Sequence, residues 1–495
     1  MSSERQQVLS KDTTILVFGA SGDLAKKKIF PALLRLFRHG DLPKDTIIVG
    51  YARSKMTQQE FHERISSHFE GPKEDQNAFL GMCRYLSGQY DEEASFRELN
   101  AQVSKWEFER NRQHRHRIFY LALPPNVFVP VSGHLRMFCY SEGNVNRIVI
   151  EKPFGRDVDS CREMLTSMKK MWSENETFRI DHYLGKEMIK NILPFRFGNG
   201  FIEHMLNNSM VDNVQFTFKE PFGTEGRGGY FDKFGIIRDI QQNHLCQVFS
   251  LFTMDEPANF SPEAIRDAKV KLLRSVRPIS KDHALLGQYT ATEDKPGYKD
   301  DETVPKDSNT PTFAAIVLKI ENDRWRDVPF IMRAGKALDG AKVEIRVQFR
   351  DIKHKFDDKI ERNELVLRIQ PGEALYLTIN AKLPGMTHLT VPVELDMTYR
   401  SRFQDAYIPE AYEALILDCL RDEHANFVRD DELEASWQIF TPLLHAIESG
   451  EVPCAPYKYG TSGPEGLRDF MGKFGYRPLD LYHRPQAQQD VNAKV

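Results

Sequence analysis

The sequence predicts two domains of different class. The first is an α/β domain on a doubly wound parallel sheet; the second is an α+β domain whose large, mainly antiparallel sheet is covered by helices. Three observations carry that reading. The first third of the chain alternates short, β-branched apolar runs with helical patterns, the rhythm of βαβ units. Beyond residue 181 the runs become alternating and β-rich, and turns rather than long helices join the later ones. The chain has 495 residues, more than one hydrophobic core usually organises. The division is placed at 1–180 and 181–495.

In chain order, TILVF at 14–18 has the composition of a buried strand. The glycine turn GASGDLAK at 19–26 follows, leading into helical spacing through Ile29, Leu33, Leu34 and Phe37. TIIVG at 46–50 is the second strand and residues 58–69 the next helix. RIFYLAL at 117–123 is a strand stopped by Pro124 and Pro125, and NRIVI at 146–150 is the last before EKPFG. In the second domain, residues 214–218, 312–320, 343–349, 364–369 and 375–379 read as strands. Helical stretches at 187–205, 236–252 and 407–449 are placed over one face of their sheet.

Composition narrows the class of function. With 41% hydrophobic and 28% charged residues, the chain is an ordinary globular protein. Its 67 basic against 71 acidic residues leave a net charge of −4, which offers no bulk field for nucleic acid or a membrane surface. The six cysteines form no CxxC pair, so they make neither a zinc signature nor a disulfide framework and fit a reducing compartment. The start MSSERQQVLSKDTT lacks the apolar core of a secretory signal, and no run approaches the about 18 apolar residues of a membrane span. The expectation is a cytoplasmic protein with neither nucleic acid nor membrane as partner.

Three motifs carry chemistry. A strand, a glycine turn and a helix put backbone N–H groups and a positive helix end where a pyrophosphate sits. Here the turn supplies Gly19, Ala20, Ser21, Gly22, Asp23 and Leu24; it lacks the third glycine of the dinucleotide fingerprint, so a plain tight turn also fits. Past the second strand the chain reads GYARS, with Arg53 and no acid. A 2′-phosphate calls for guanidinium where a ribose hydroxyl calls for a carboxylate, which favours NADP over NAD; a surface arginine is the bland alternative. Lys152, at the end of the last parallel strand, stands where ligands bind such sheets, or is simply solvated. RIDHYLGK at 179–186 packs Asp181, His182, Tyr183 and Lys186 together, enough to orient a base and hold a phosphate dianion, or to make a solvated loop. RDIQQNH at 238–244 offers His244 as a base for oxidising an alcohol; the residues alone leave the choice among 15 histidines open.

GASGDLAKKK, EKPFG, RIDHYLGKE, FKEPFGTEGRGGYFD, GIIRDIQQNH and RAGKAL occur in that order over most of the chain. Together they closely resemble the glucose-6-phosphate dehydrogenase family. The resemblance implies a Rossmann-type first domain and oxidation of glucose 6-phosphate at C1, with hydride passing to NADP and no metal required. It implies His244 as general base, Asp181 as its partner, and Lys152 between C1 and the cofactor. His182, Tyr183 and Lys186 would hold the phosphate, with Glu220, Asp239, Lys336 and Gln370 on the rest of the sugar. A homodimer or homotetramer is implied too. Phe128 stands where the family often has Tyr. Arg333, Lys342, Arg346, Arg368 and Asp396 match a second, structural NADP site of some members, but Ser462 and the tryptophan-free segment 481–484 depart from it, which implies a weak or absent second cofactor. Two rival readings remain: a related oxidoreductase of another sugar or cyclitol, and a catalytically silent sugar-phosphate sensor.

Overall fold

The structure is a computed structural model and describes residues 8–352 and 360–479; the segment 481–484 lies outside the described residues. The chain forms two compact units, each assembled from separated stretches. The first joins Met1–Lys190 with Thr253–Leu273 and Ile408–Gln438; the second comprises Asn191–Phe252, Arg274–Tyr407 and Ile439–Val495.

Among the described residues, six strands make the first sheet: β1 (Thr13–Phe18), β2 (Ile47–Ala52), β3 (Cys83–Ser87), β4 (His116–Leu121), β5 (Asn146–Glu151) and β6 (Thr177–Ile180). Their order is β3-β2-β1-β4-β5-β6 and every pairing is parallel. Such sheets need both faces covered. Ile15, Val17, Ile118 and Val149 pack with Ala32, Leu33 and Leu36 of helix Phe30–His39. On the other face Phe18 stacks near Phe96, at 6.2 Å between centroids, and Phe119 meets Trp172 edge-on. The strand order reverses between β1 and β4, and the crevice at the carboxyl ends there is where such sheets take their ligands.

Two strands of this sheet escape the sequence pattern. β3 is an edge strand with alternating burial, and β6 has four residues, too few to show a period. The third stretch of the unit corrects a further expectation. The 407–449 region is two helices, Ala411–Leu420 and Asp430–Glu448, and the first covers the parallel sheet rather than the second domain's. Its Leu415, Ile416 and Cys419 enter the same core as Ile118, Val149 and Ile180. The added stretches are tied by charge as well. Lys269 and Glu432, both fully buried, pair at 2.7 Å, and Arg429 reaches Asp267 at 2.7 Å.

Among its described residues the second unit is built on nine strands: β7 (Val211–Lys219), β8 (Ala284–Thr290), β9 (Phe313–Lys319), β10 (Pro329–Gly335), β11 (Lys342–Phe349), β12 (Glu364–Gln370), β13 (Ala374–Lys382), β14 (Thr390–Thr398) and β15 (Cys454–Lys458). Their order is β14-β13-β12-β11-β7-β10-β9-β8-β15. Pairing is antiparallel except for β7 with β10 and β8 with β15. The expected helix at 187–205 is three short ones, Glu187–Lys190, Ile192–Phe197 and Gly200–Met205. Pro194 cannot donate to the preceding turn, and Gly198 ends the second piece.

The buried Lys269–Glu432 pair gives a stability test. Lys269→Met strands a carboxylate in the core and is expected to lower the unfolding free energy by about 3–5 kcal/mol. Urea denaturation followed by tryptophan fluorescence measures this, and adding Glu432→Leu is expected to restore most of the loss.

Candidate functional site

At the end of β1 the chain turns at Gly19 with φ +78°. A Cβ there would lie 2.2 Å from the Ala122 carbonyl oxygen, so only glycine lets β1 and β4 approach at this point. The Gly19 and Ala20 N–H groups donate to the Tyr51 carbonyl, and Gly22 N–H donates to Gly19. Leu24 is already helical, and a π-helical turn, Ala25–Ile29, runs on into Phe30–His39. Asp23 is exposed and pairs with Lys27 at 3.0 Å, which holds its carboxyl below the usual range.

Arg53 directly follows β2, exposed, with its guanidinium 5.6 Å from the centre of the Tyr90 ring. Its neighbour Ser54 comes within 3.5 Å of Ser21, oxygen to oxygen, so the end of the second strand lies beside the glycine turn. Arg64, from helix Gln58–Ser66, donates to the Ser21 carbonyl through Nε at 2.8 Å. Sequence reasoning missed Arg64; its signal was an arginine in the helix that follows the second strand. A glycine cradle with no room for a side chain and two guanidiniums beside it fit a phosphorylated dinucleotide.

The same unit holds the catalytic candidates from β5 and β6. Lys152 follows β5 and the Lys152–Pro153 bond is cis. Before it, Glu151 is buried and accepts from the Tyr120 hydroxyl at 2.7 Å. Burial pushes its pKa up to about 7, opposed by hydrogen bonds from Tyr120 and Tyr412 and by the Lys152 charge. An acid closing the apolar run NRIVIE was the overlooked signal. Asp181 follows β6, 3% exposed, and its Oδ1 accepts from the Tyr183 N–H at 2.9 Å. Burial raises the Asp181 pKa, while His182 and Lys152 pull it back.

Past Asp181 a single tight turn, His182–Gly185, presents the rest. His182 stacks on Tyr412, 8° from parallel, and the Lys186 ammonium lies 5.0 Å above the Tyr183 ring. A Cβ at Gly185 would meet the Ala411 carbonyl at 2.3 Å, which explains the glycine in HYLGK.

In the second unit the parallel pair β7 and β10 ends side by side, and the next residues are Glu220 and Lys336. The Lys336 ammonium bonds Glu220 at 2.6 Å and lies 3.5 Å from Asp239. Burial works against that ammonium, but Asp239 and Glu220 outweigh it and raise its pKa. Asp239 and His244 share the π-helical segment Ile237–Leu245, whose i→i+5 bonding brings residues five apart toward one side. His244 is 2% exposed, and its backbone N–H donates to the Asn243 side-chain oxygen at 2.7 Å. Gln241, also unanticipated, donates to the carbonyls of Ala314 and Met332 and staples this helix to β9 and β10. Gln370 closes β12 opposite Val343, at the same end of the sheet as Glu220. Of the other basic residues on this sheet, Arg346 is already held by Glu344 and Glu364. Phe128 is buried.

Comparison with known proteins gives one family. Residues 16–191 match the profile of glucose-6-phosphate dehydrogenase, NAD binding domain, and residues 193–478 that of its C-terminal domain. A relative from Emericella nidulans named glucose-6-phosphate 1-dehydrogenase is 54% identical, over 95% of this chain and 93% of its own. One from Arabidopsis thaliana, named a cytoplasmic form of that enzyme, is 48% identical over 94% and 91%. The solved structure of a glucose-6-phosphate dehydrogenase in complex with its substrate glucose-6-phosphate superposes with a TM-score of 0.92, at 48% identity, covering 97% of this chain and all of that one.

Glu151 makes folding pH-dependent. The unfolded chain releases its proton near pH 4.5 and the folded chain near pH 7, so the carboxyl's contribution to stability falls as pH rises between the two and is flat above. Glu151→Gln lacks that fall, and relative to the wild type it is expected to gain about 3 kcal/mol across the window. Denaturant titrations at a series of pH values measure the difference.

Proposed function

The chain belongs to the glucose-6-phosphate dehydrogenase family, and from that premise we propose how its residues divide one reaction. The protein oxidises D-glucose 6-phosphate to 6-phospho-D-glucono-1,5-lactone, the first step of the oxidative pentose phosphate pathway. NADP, when bound, supplies the hydride acceptor. The observation that carries this reading is full-length kinship joined to an acid, an imidazole and an ammonium on the one turn 181–186.

His244 takes the proton from the C1 hydroxyl as hydride leaves C1. Asp181 holds the imidazole's orientation and stabilises the imidazolium that forms. Lys152 donates to the C1 end of the sugar and toward the cofactor. His182, Tyr183 and Lys186 hold the phosphate dianion through charge-assisted hydrogen bonds. Glu220 and Asp239 accept from sugar hydroxyls, with Lys336 keeping both carboxylates in place and Gln370 completing the contact. Gly19, Ala20, Ser21, Gly22, Asp23 and Leu24 cradle the pyrophosphate, and Arg53 receives the 2′-phosphate. In this reading residues 1–180 serve the cofactor, with Lys152 reaching the sugar as well, and 181–495 the substrate. Work in the cytoplasm agrees with the name of the Arabidopsis thaliana relative; among the described residues no helix is long and apolar enough to cross a membrane.

Steady-state rates test the roles separately. His244→Asn is expected to cut kcat by roughly 10²–10⁴-fold, the share of acid–base catalysis. Lys186→Ala is expected to raise KM for glucose 6-phosphate sharply with a smaller change in kcat. Arg53→Ala is expected to raise KM for NADP by about 10–100-fold and leave that for NAD nearly unchanged. A His244→Asn enzyme as fast as the wild type rejects the mechanism, and turnover of glucose as readily as glucose 6-phosphate rejects the substrate.

The subunit is further proposed to work as a homodimer or homotetramer. Leu389, Leu395 and Phe403 are all more than 40% exposed, along and beside the edge strand β14. Sedimentation velocity at micromolar concentration is expected to show a dimer or larger; a lone monomer refutes it.

A further inference from the structure

We propose that the second unit carries a separate site for a nucleoside polyphosphate, at the end of its sheet away from Glu220 and Lys336. A cavity of about 660 Å³ opens there, within the usual range for small-molecule pockets. Asp212 near the start of β7, Pro329 at the start of β10, Lys319 at the end of β9 and Arg350 just past β11 line it. β7 and β10 run parallel from this cavity toward Glu220 and Lys336. Eight steps along the strand carry the chain from Asp212 to Glu220, roughly 26 Å at the usual rise, so a ligand here stays clear of Glu220 and Lys336.

The lining is cationic in effect as well as in count. Arg277, Lys319, Arg326, Arg350 and Lys473 face three carboxylates, Asp212, Glu321 and Asp327. Asp212 binds Arg362 at 3.0 Å, Glu321 and Arg277 cancel each other, and Arg326 is taken by Asp323 at 2.7 Å, which leaves Lys319, Arg350 and Lys473 against Asp327. Arg350 is fixed at 3.0 and 2.9 Å by the Asn208 carbonyl, a neutral partner that leaves its charge uncompensated. Among the described residues, Lys319 and Lys473 pair with no carboxylate. Next to the cavity, the His283 pKa is lowered, by burial first and then by the Lys319 charge. Several cations held together without counter-charges favour an anion with more than one negative oxygen.

The rest of the wall is apolar and includes one aromatic. Ile320 and Val328 line it, and Phe474 is braced by Phe470 at 5.4 Å and by His283 at 5.6 Å between centroids. A ring so supported is a platform for a base, with stacking as its energy. Phosphates against Lys319, Lys473 and Arg350, and a base against Phe474, account for both halves of the lining.

The test is calorimetric titration of magnesium-free ATP into the full-length protein saturated with NADP, so that the cofactor cleft is closed to it. ATP is expected to bind, more weakly as salt is raised, and more tightly than tripolyphosphate. Lys319→Glu with Lys473→Glu is expected to weaken ATP by at least about tenfold with both KM values unchanged. The exposed Lys473→Glu alone serves if the pair fails to fold. Phe474→Ala is expected to weaken ATP and spare tripolyphosphate. No heat from ATP, heat that NADP saturation abolishes, equal affinity in the lysine variants, or tripolyphosphate binding as tightly as ATP each overturns the proposal.

Discussion

A strand whose backbone bonds are taken up by its neighbours has almost no freedom left, and the residue that follows it inherits a fixed position. Six of the residues given a role stand at that point. Gly19 follows β1, Arg53 follows β2, Lys152 follows β5 and Asp181 follows β6. Glu220 and Lys336 follow β7 and β10, and Gln370 closes β12. Both sheets solve one problem in one way: the ladder supplies rigidity, and the first residue beyond it supplies chemistry. Loops alone position groups less well, because each pays backbone entropy when it orders.

Charge is arranged in opposite senses in the two units. On the parallel sheet, Glu151 and Asp181 are acids pushed toward their neutral forms by burial, with Lys152 as the nearby cation pulling both back. On the mixed sheet, a single buried ammonium, Lys336, is kept charged by two carboxylates. The first arrangement leaves an acid able to change its state near working pH, as proton chemistry needs. The second freezes its three members, which suits recognition of hydroxyl groups by fixed donors and acceptors.

Much of this was legible in the chain, and the gaps have physical causes. TILVF and NRIVI are buried on both sides and read as apolar runs, and β11 and β12 fell within a residue of their pattern. β3 was lost because the edge strand CRYLS carries too few apolar residues to stand out, and β6 because four residues cannot display a period. The 411–420 helix was seen but given to the wrong sheet, since an apolar face says that something is covered and not what. Candidate residues inside dense motifs, such as Asp181–Lys186, could be singled out by composition, which fitted a solvated loop equally well. Arg64 and Gln241 could not: each acts by donating to a backbone carbonyl far away in sequence, and the sequence does not announce which carbonyls come near.

The interrupted make-up of the first unit bears on how the protein is born. Its core needs Leu415, Ile416 and Cys419 beside strands laid down in the first 180 residues, and its stretches close only at Gln438 of 495. Domains translated early normally fold early. Here the nascent parallel sheet must wait, one apolar flank bare, until nearly nine-tenths of the message has been read. The nucleotide-binding unit is therefore completed almost as late as the second, whose final stretch is Ile439–Val495, and a ribosome-bound chain carries an exposed surface for chaperones throughout most of its synthesis.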